Sequence, residues 1–153
     1  MTQEKIMKRR MVIAIVLFVL TLIALLVMTG LYIDETRRVQ ETYRTQFVAH
    51  LDQASDSITS YLDAEGDYPL RYRRILGHIS GADSFAFVMD GLTEDQKRAV
   101  NELYSCLLKY PEQMQETERM KAMQQAVDDM SDNLDKGFEE AAEVVESVDK
   151  KGF

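Results

Sequence analysis

The stretch MVIAIVLFVLTLIALLVMTGLYI, residues 11–33, carries no charged residue from Met11 to Ile33. As a helix its 23 residues would extend about 34 Å, and the hydrocarbon core of a bilayer is about 30 Å thick. A helix also satisfies its own backbone hydrogen bonds, which lipid cannot do. The stretch therefore predicts a single transmembrane helix near the N-terminus.

Two other interpretations of this apolar run compete with a retained anchor. A cleaved signal peptide would also carry basic residues at its start, as Lys5, Lys8, Arg9 and Arg10 do here. Its apolar region usually has about 7–15 residues and ends at a small-residue cleavage site, whereas this run is longer and continues into YIDET. The second alternative is a buried core helix, which the rest of a 153-residue chain could not easily surround. A retained anchor is therefore favoured.

Charges on the two flanks of the run predict its orientation. Four Lys or Arg residues lie in the first ten positions, and three follow the run at Arg37, Arg38 and Arg44. Lys and Arg favour the cytoplasmic side of a membrane. The four that precede the run are packed closer to it than the three that follow. We therefore expect residues 1–10 to form a basic cytoplasmic tail and residues 34–153 to lie outside the cytoplasm, at the cell membrane.

Acidic residues dominate the end of the chain. The net charge is −8, and from Pro111 onward twelve Asp and Glu residues oppose five Lys and Arg residues. An acidic surface repels phosphate, so nucleic acid is not an expected partner. The single cysteine, Cys106, excludes an intrachain disulfide, and its position between Leu103 and Leu107 predicts a small buried hydrophobic residue.

Apolar residues at helical spacing predict the elements that follow the anchor. The first helix covers 34–64, either continuous with the anchor or separate, and Gly66 and Pro69 end it. Pro69 begins a second helix, and residues 82–90 continue it or form a short strand. We favour helix there because the sequence shows no partner strand. Thr93 and Gln96 fit a capping box that begins a third helix.

A later row of apolar residues at steps of three and four runs past Pro111, which either kinks one helix or separates two. This row is the candidate partner seam, and its residues are Met114, Met120, Met123, Val127, Met130 and Leu134. Such near-heptad spacing is typical of bundles and coiled coils. Gly137 ends the row, and the acidic residues 137–153 form a helical arm or a tail.

The predicted fold is therefore all-α. A single N-terminal transmembrane helix, 11–33, precedes an extracytoplasmic antiparallel bundle of three or four helices within 34–136. A long, acidic helix lies at the C-terminal end.

Residues that could support chemistry are few. The sequence lacks phosphate-binding, dinucleotide-binding, serine-hydrolase and zinc-protease motifs, and a nucleophile pair of Cys106 with His50 or His78 has no supporting context. A lone His50 predicts a half-buried seam residue rather than a metal ligand or pH sensor, and the methionines suit a core or groove better than Cu(I). The acidic residues predict a solvated face rather than a Ca²⁺ site. No cofactor, metal site or enzymatic activity is expected.

Two functions remain for such a chain. The first is a non-catalytic scaffold that is anchored in the lipid bilayer and binds a protein partner, or itself, through the seam. The alternative is a ligand-sensing bundle that signals through a partner. Its polar groups would come from Tyr43, His50, Tyr61, Tyr72 and Arg74.

Overall fold

A computed structural model of the chain describes residues 3–150, which contain six α-helices and no β-strand. In chain order they are α1 (Gln3–Leu62), α2 (Tyr68–Val88), α3 (Glu94–Lys109), α4 (Pro111–Met114), α5 (Thr117–Asp132) and α6 (Phe138–Glu146). The prediction of an all-α chain with one long apolar N-terminal helix is confirmed. Residues 82–88 belong to α2, so helix rather than strand is correct there.

Helix α1 takes part in two compact units, the first ending at Val39 and the second beginning at Gln40. In the first unit, the side chains of residues 3–38 are all exposed, including the large apolar side chains of the run 11–33. Length and composition make α1 a helix that could cross a membrane. Of the predicted tail 1–10, residues 3–10 lie within α1, which begins at Gln3, and residues 1 and 2 lie outside the described residues.

The second unit is built around one apolar core. Its part of α1 buries Phe47, Leu51, Ala54, Ile58 and Tyr61, which recur at steps of three and four and so share one face. Helix α2 packs against α3, and α6 packs against both α3 and α5. This core continues into α5 and α6.

Helix α3 begins with the predicted capping box. The Gln96 amide N–H donates to Thr93 Oγ1 at 3.3 Å, and the Thr93 amide donates to Gln96 Oε1 at 2.8 Å. Two of the amide groups that a helix leaves unpaired at its N-terminus are thereby satisfied. Thr93 and Gln96 therefore fix where α3 begins.

Pro111 separates two helices instead of kinking one. Helix α3 ends at Lys109, and Tyr110 has the non-helical dihedral angles φ −125° and ψ 51°. Proline has no N–H to donate to the carbonyl oxygen four residues earlier, and its ring clashes with that carbonyl. The predicted long acidic C-terminal helix is therefore wrong, because α4, α5 and α6 occupy its place.

Gly137 makes the turn into α6. Its φ is +82°, and a Cβ atom at this position would lie 2.3 Å from the carbonyl oxygen of Ala126. After this close approach, α6 buries Phe138, Ala141, Val144 and Val145. Within the predicted segment 137–153, residues 138–146 thus form a packed helix, and residues 151–153 lie outside the described residues.

Candidate functional site

The apolar run has the side-chain chemistry that a lipid environment requires. Its two internal hydroxyl groups are satisfied within the helix, since Thr21 Oγ1 donates to the Leu17 carbonyl and Thr29 Oγ1 to the Leu25 carbonyl, each at 2.9 Å. Such bonds leave no free polar group to face hydrocarbon. At the end of the run, Tyr32 is exposed, and tyrosine is typical of the membrane interface.

The candidate partner seam does not form an open surface. Met114, Met120, Met123, Val127 and Met130 have 0% exposed area, and Leu134 is half-buried against the same core. A side chain with no exposed surface cannot contact a second protein while the fold is intact. The seam is therefore corrected to core: its periodic spacing reflects packing within the chain.

Recessed surface lies instead on the two sides of α6, and also between α2 and α3, where Asp83, Phe87 and Lys97 line a cleft of about 610 Å³. The α3–α6 cleft, of about 600 Å³, is lined by residues at the start of α3, the end of α5 and the start of α6. The α5–α6 cleft, of about 500 Å³, runs between α5 and α6, where Ala122 and Val144 supply apolar atoms. Residue spacing does not predict the two clefts beside α6, because they depend on the turn at Gly137 that folds α6 back.

Both clefts beside α6 are acidic. Their carboxylates are Asp95, Asp129, Asp135, Glu139 and Glu140 in the α3–α6 cleft, and Glu116, Glu118, Glu140 and Glu143 in the α5–α6 cleft. The α5–α6 cleft also contains Arg119, whose guanidinium donates to the carbonyl oxygens of Gln113 and Ser147 at 2.9 and 3.0 Å. Arg119 is also ion-paired with Glu116 at 2.9 Å, so its charge is held inside the unit. The remaining acidic groups favour a positively charged partner.

The polar groups proposed for ligand sensing divide into two places within the second unit. Tyr61 and Tyr72 are buried, and the Tyr72 hydroxyl donates to the Leu107 carbonyl oxygen at 2.7 Å. Tyr43 and His50 contact Phe85, with ring centroids 6.3 and 5.6 Å apart. These side chains serve packing between helices, and the residues given for the two clefts include none of them.

Cys106 is buried, as its spacing predicted. Burial raises the pKa of its thiol, and the charged groups that act on it are Lys150, Glu102 and Lys109. The His50 ring lies against Phe85 and His78, and among residues 3–150 no hydrogen bond or ion pair joins either imidazole to Cys106. The thiol is poor as a nucleophile, since the reactive form is the thiolate.

Metal ligands are not grouped in the part of the chain that the structure describes. Among residues 3–150, no three His, Cys, Asp or Glu side chains are placed so that they could hold a metal ion. The acidic row is divided between α5, the following turn and α6, with every member exposed. Its members are Asp128, Asp132, Asp135, Glu139, Glu143 and Glu146.

Comparison with known proteins adds no assignment. No protein-family model, curated protein or solved structure matches this chain.

Proposed function

We propose that this chain is a single-pass membrane protein that holds an antiparallel helical bundle outside the cytoplasm, where the bundle binds another protein without catalysis. The observation that carries the proposal is the fully exposed run 11–33 of α1. Water-soluble surfaces rarely expose contiguous apolar patches larger than a few hundred square ångströms. A bilayer is the partner that suits an uncharged helix of this length.

The acidic clefts on the two sides of α6 support a protein partner with a basic segment. Their carboxylates attract Lys and Arg side chains, and the exposed Ala122 offers apolar contact in the α5–α6 cleft. The same charge disfavours nucleic acid and an anionic lipid leaflet. The buried seam plays no part in this binding.

Orientation can be tested by thiol labelling in intact cells, because the buried Cys106 contributes little background. The variants are Glu65→Cys, in the exposed loop after α1, and Glu4→Cys, at the other side of the run. We expect a membrane-impermeant maleimide to label Glu65→Cys in intact cells, and Glu4→Cys after permeabilisation. The reverse pattern would place the bundle in the cytoplasm and refute the orientation.

Partner binding can be tested by photo-crosslinking in native membranes. We expect a photo-reactive amino acid at Glu143, which lines the α5–α6 cleft, to capture a protein adduct. The adduct should weaken at about 0.5 M salt, which shortens the range of charge attraction. The matched control places the same amino acid at Arg73, an exposed position on α2. Equal capture at both positions, or uncrosslinked chain alone, would refute this binding surface.

A further inference from the structure

His50 of α1 lies against α2 at a glycine. A Cβ atom on Gly81 would be 2.6 Å from both Cε1 and Nδ1 of the His50 ring, closer than van der Waals contact allows. The ring therefore occupies space that only glycine leaves free at this position. This contact joins α1 and α2 within the second unit.

Aromatic rings complete the surroundings of His50. Its ring stacks on Phe85 with centroids 5.6 Å apart, and the ring of His78 lies 6.2 Å away. His50 Nδ1 is buried and has no hydrogen-bond partner. The contact therefore depends on the packing of the rings and not on a hydrogen bond at Nδ1.

The charged groups near this contact do not offset the positive charge that a proton would add to His78. Burial lowers the pKa of His78, and His50 and then Arg74 lower it further. The neighbouring carboxylates are engaged elsewhere: Asp52 accepts the Ser131 hydroxyl of α5, and Asp83 accepts the Asn101 side-chain amide of α3. Within residues 3–150, no carboxylate is hydrogen-bonded or ion-paired to either imidazole.

We propose that the His50–His78 contact is an acid-sensitive latch, which holds α1 against α2 while the His78 ring is neutral and loosens when that ring binds a proton. An imidazolium ring at His78 would be repelled by the charge of Arg74, while the neighbouring carboxylates Asp52 and Asp83 are hydrogen-bonded to other side chains. The proposal is independent of the membrane assignment, because every group in it belongs to the second unit.

The direction in which stability changes with pH follows from the linkage between proton binding and folding. A histidine whose folded pKa is lowered binds protons more readily in the unfolded chain. Its contribution to stability is complete above the ordinary histidine pKa, about 6.5, and is lost as the pH falls below it. Acid therefore weakens the latch in the range where carboxylates of ordinary pKa, near 4, still remain ionised. Among the neighbouring carboxylates, burial raises the pKa of Asp83.

The test is the thermal midpoint Tm of the full chain in detergent micelles at pH 7.5 and 5.5. We expect the wild-type Tm to be lower at pH 5.5 by about 3–6 °C. His78→Gln, which removes the titrating ring, should at least halve that loss. Arg74→Gln should also reduce it, since Arg74 is exposed and its charge opposes protonation of His78.

Arg73→Gln is the matched control, because Arg73 is exposed on the same helix and does not act on His78. This variant should retain the wild-type loss. A wild-type Tm that is equal at the two pH values would overturn the proposal. Equal losses in wild type and in both Arg74→Gln and His78→Gln would overturn it as well.

Discussion

The hydroxyl of Tyr72 on α2 donates a hydrogen bond of 2.7 Å to the backbone carbonyl oxygen of Leu107 on α3, and both residues are buried. In a continuing helix that carbonyl would accept the N–H of residue 111, but residue 111 is proline and has none. Tyr72 therefore satisfies the end of α3, so the bond joins two helices at the point where Pro111 interrupts the chain.

Tyr72→Phe should lower the free energy of unfolding by about 1–2 kcal/mol, because it leaves a buried carbonyl oxygen without a donor. The measurement is urea unfolding followed by circular dichroism. Tyr68→Phe is the matched control, since its hydroxyl donates to the Ala64 carbonyl at 2.7 Å at an exposed site where water can replace it. Equal losses in the two variants would contradict the assigned role of Tyr72.

Alkaline pH should weaken the same contact. Burial raises the pKa of Tyr72 above its usual value, and Tyr61 and Cys106 raise it further. A raised folded pKa means that stability is complete below the unfolded value, about 10, and is lost as the pH rises past it. We expect a steeper loss of stability between about pH 9 and 11 in wild type than in Tyr72→Phe. Parallel pH profiles would show that Tyr72 does not titrate on unfolding.

Two glycines of α2 should respond to alanine in opposite directions. Gly77→Ala meets no atom within 4 Å, so it should stabilise the helix by about 0.5–1 kcal/mol. Gly81→Ala gains the same helix propensity but collides with the ring of His50, and we expect a net loss of about 1–3 kcal/mol. Thermal unfolding of both variants measures the difference. A stabilised Gly81→Ala would mean that the ring of His50 moves aside freely.

Cys106 should behave as a reporter of global unfolding. Its thiol is buried and burial raises its pKa, so a thiol reagent should modify it slowly in the folded chain and rapidly in denaturant. The measurement is the rate of reaction with a chromogenic disulfide reagent at increasing urea concentration. A fast rate without denaturant would show that α3 opens locally around Cys106.

Several elements could be predicted because their signals are local. The spacing of Phe47, Leu51 and Ile58 on one helical face predicts the side that meets the core, and the structure buries all three. Thr93 and Gln96 form a capping box within a single turn, so no information from distant residues was needed. The apolar run likewise depends on its own composition alone.

The break at Pro111 and the place of α6 could not be predicted with the same reliability. Helical spacing continues across Pro111 because residues on both sides face one core, so periodicity alone cannot separate a kink from a break. In α6 the glutamates Glu139, Glu143 and Glu146 are exposed, as the predicted solvated face requires, while Phe138 and Val145 are buried. Spacing alone left open whether this segment was a helical arm or a tail, because it does not show which surface the apolar side packs against.

The candidate partner seam is buried, and residue spacing could not predict this burial for a related reason. Met120, Met123 and Met130 form an apolar row that the sequence describes well, but an apolar row does not indicate which surface covers it. Here α6 folds back after Gly137 and packs against α5. The clefts on either side of α6 arise from this tertiary contact between distant positions, which residue spacing does not encode.

The central claim is that the run 11–33 remains in the bilayer as an anchor. The most direct measurement is alkaline extraction of cell membranes, followed by intact-mass analysis of the chain in the pellet and in the supernatant. We expect the chain to stay in the pellet with residues 11–33 still attached. A chain released into the supernatant, or one whose mass shows that the run has been removed, would contradict the claim.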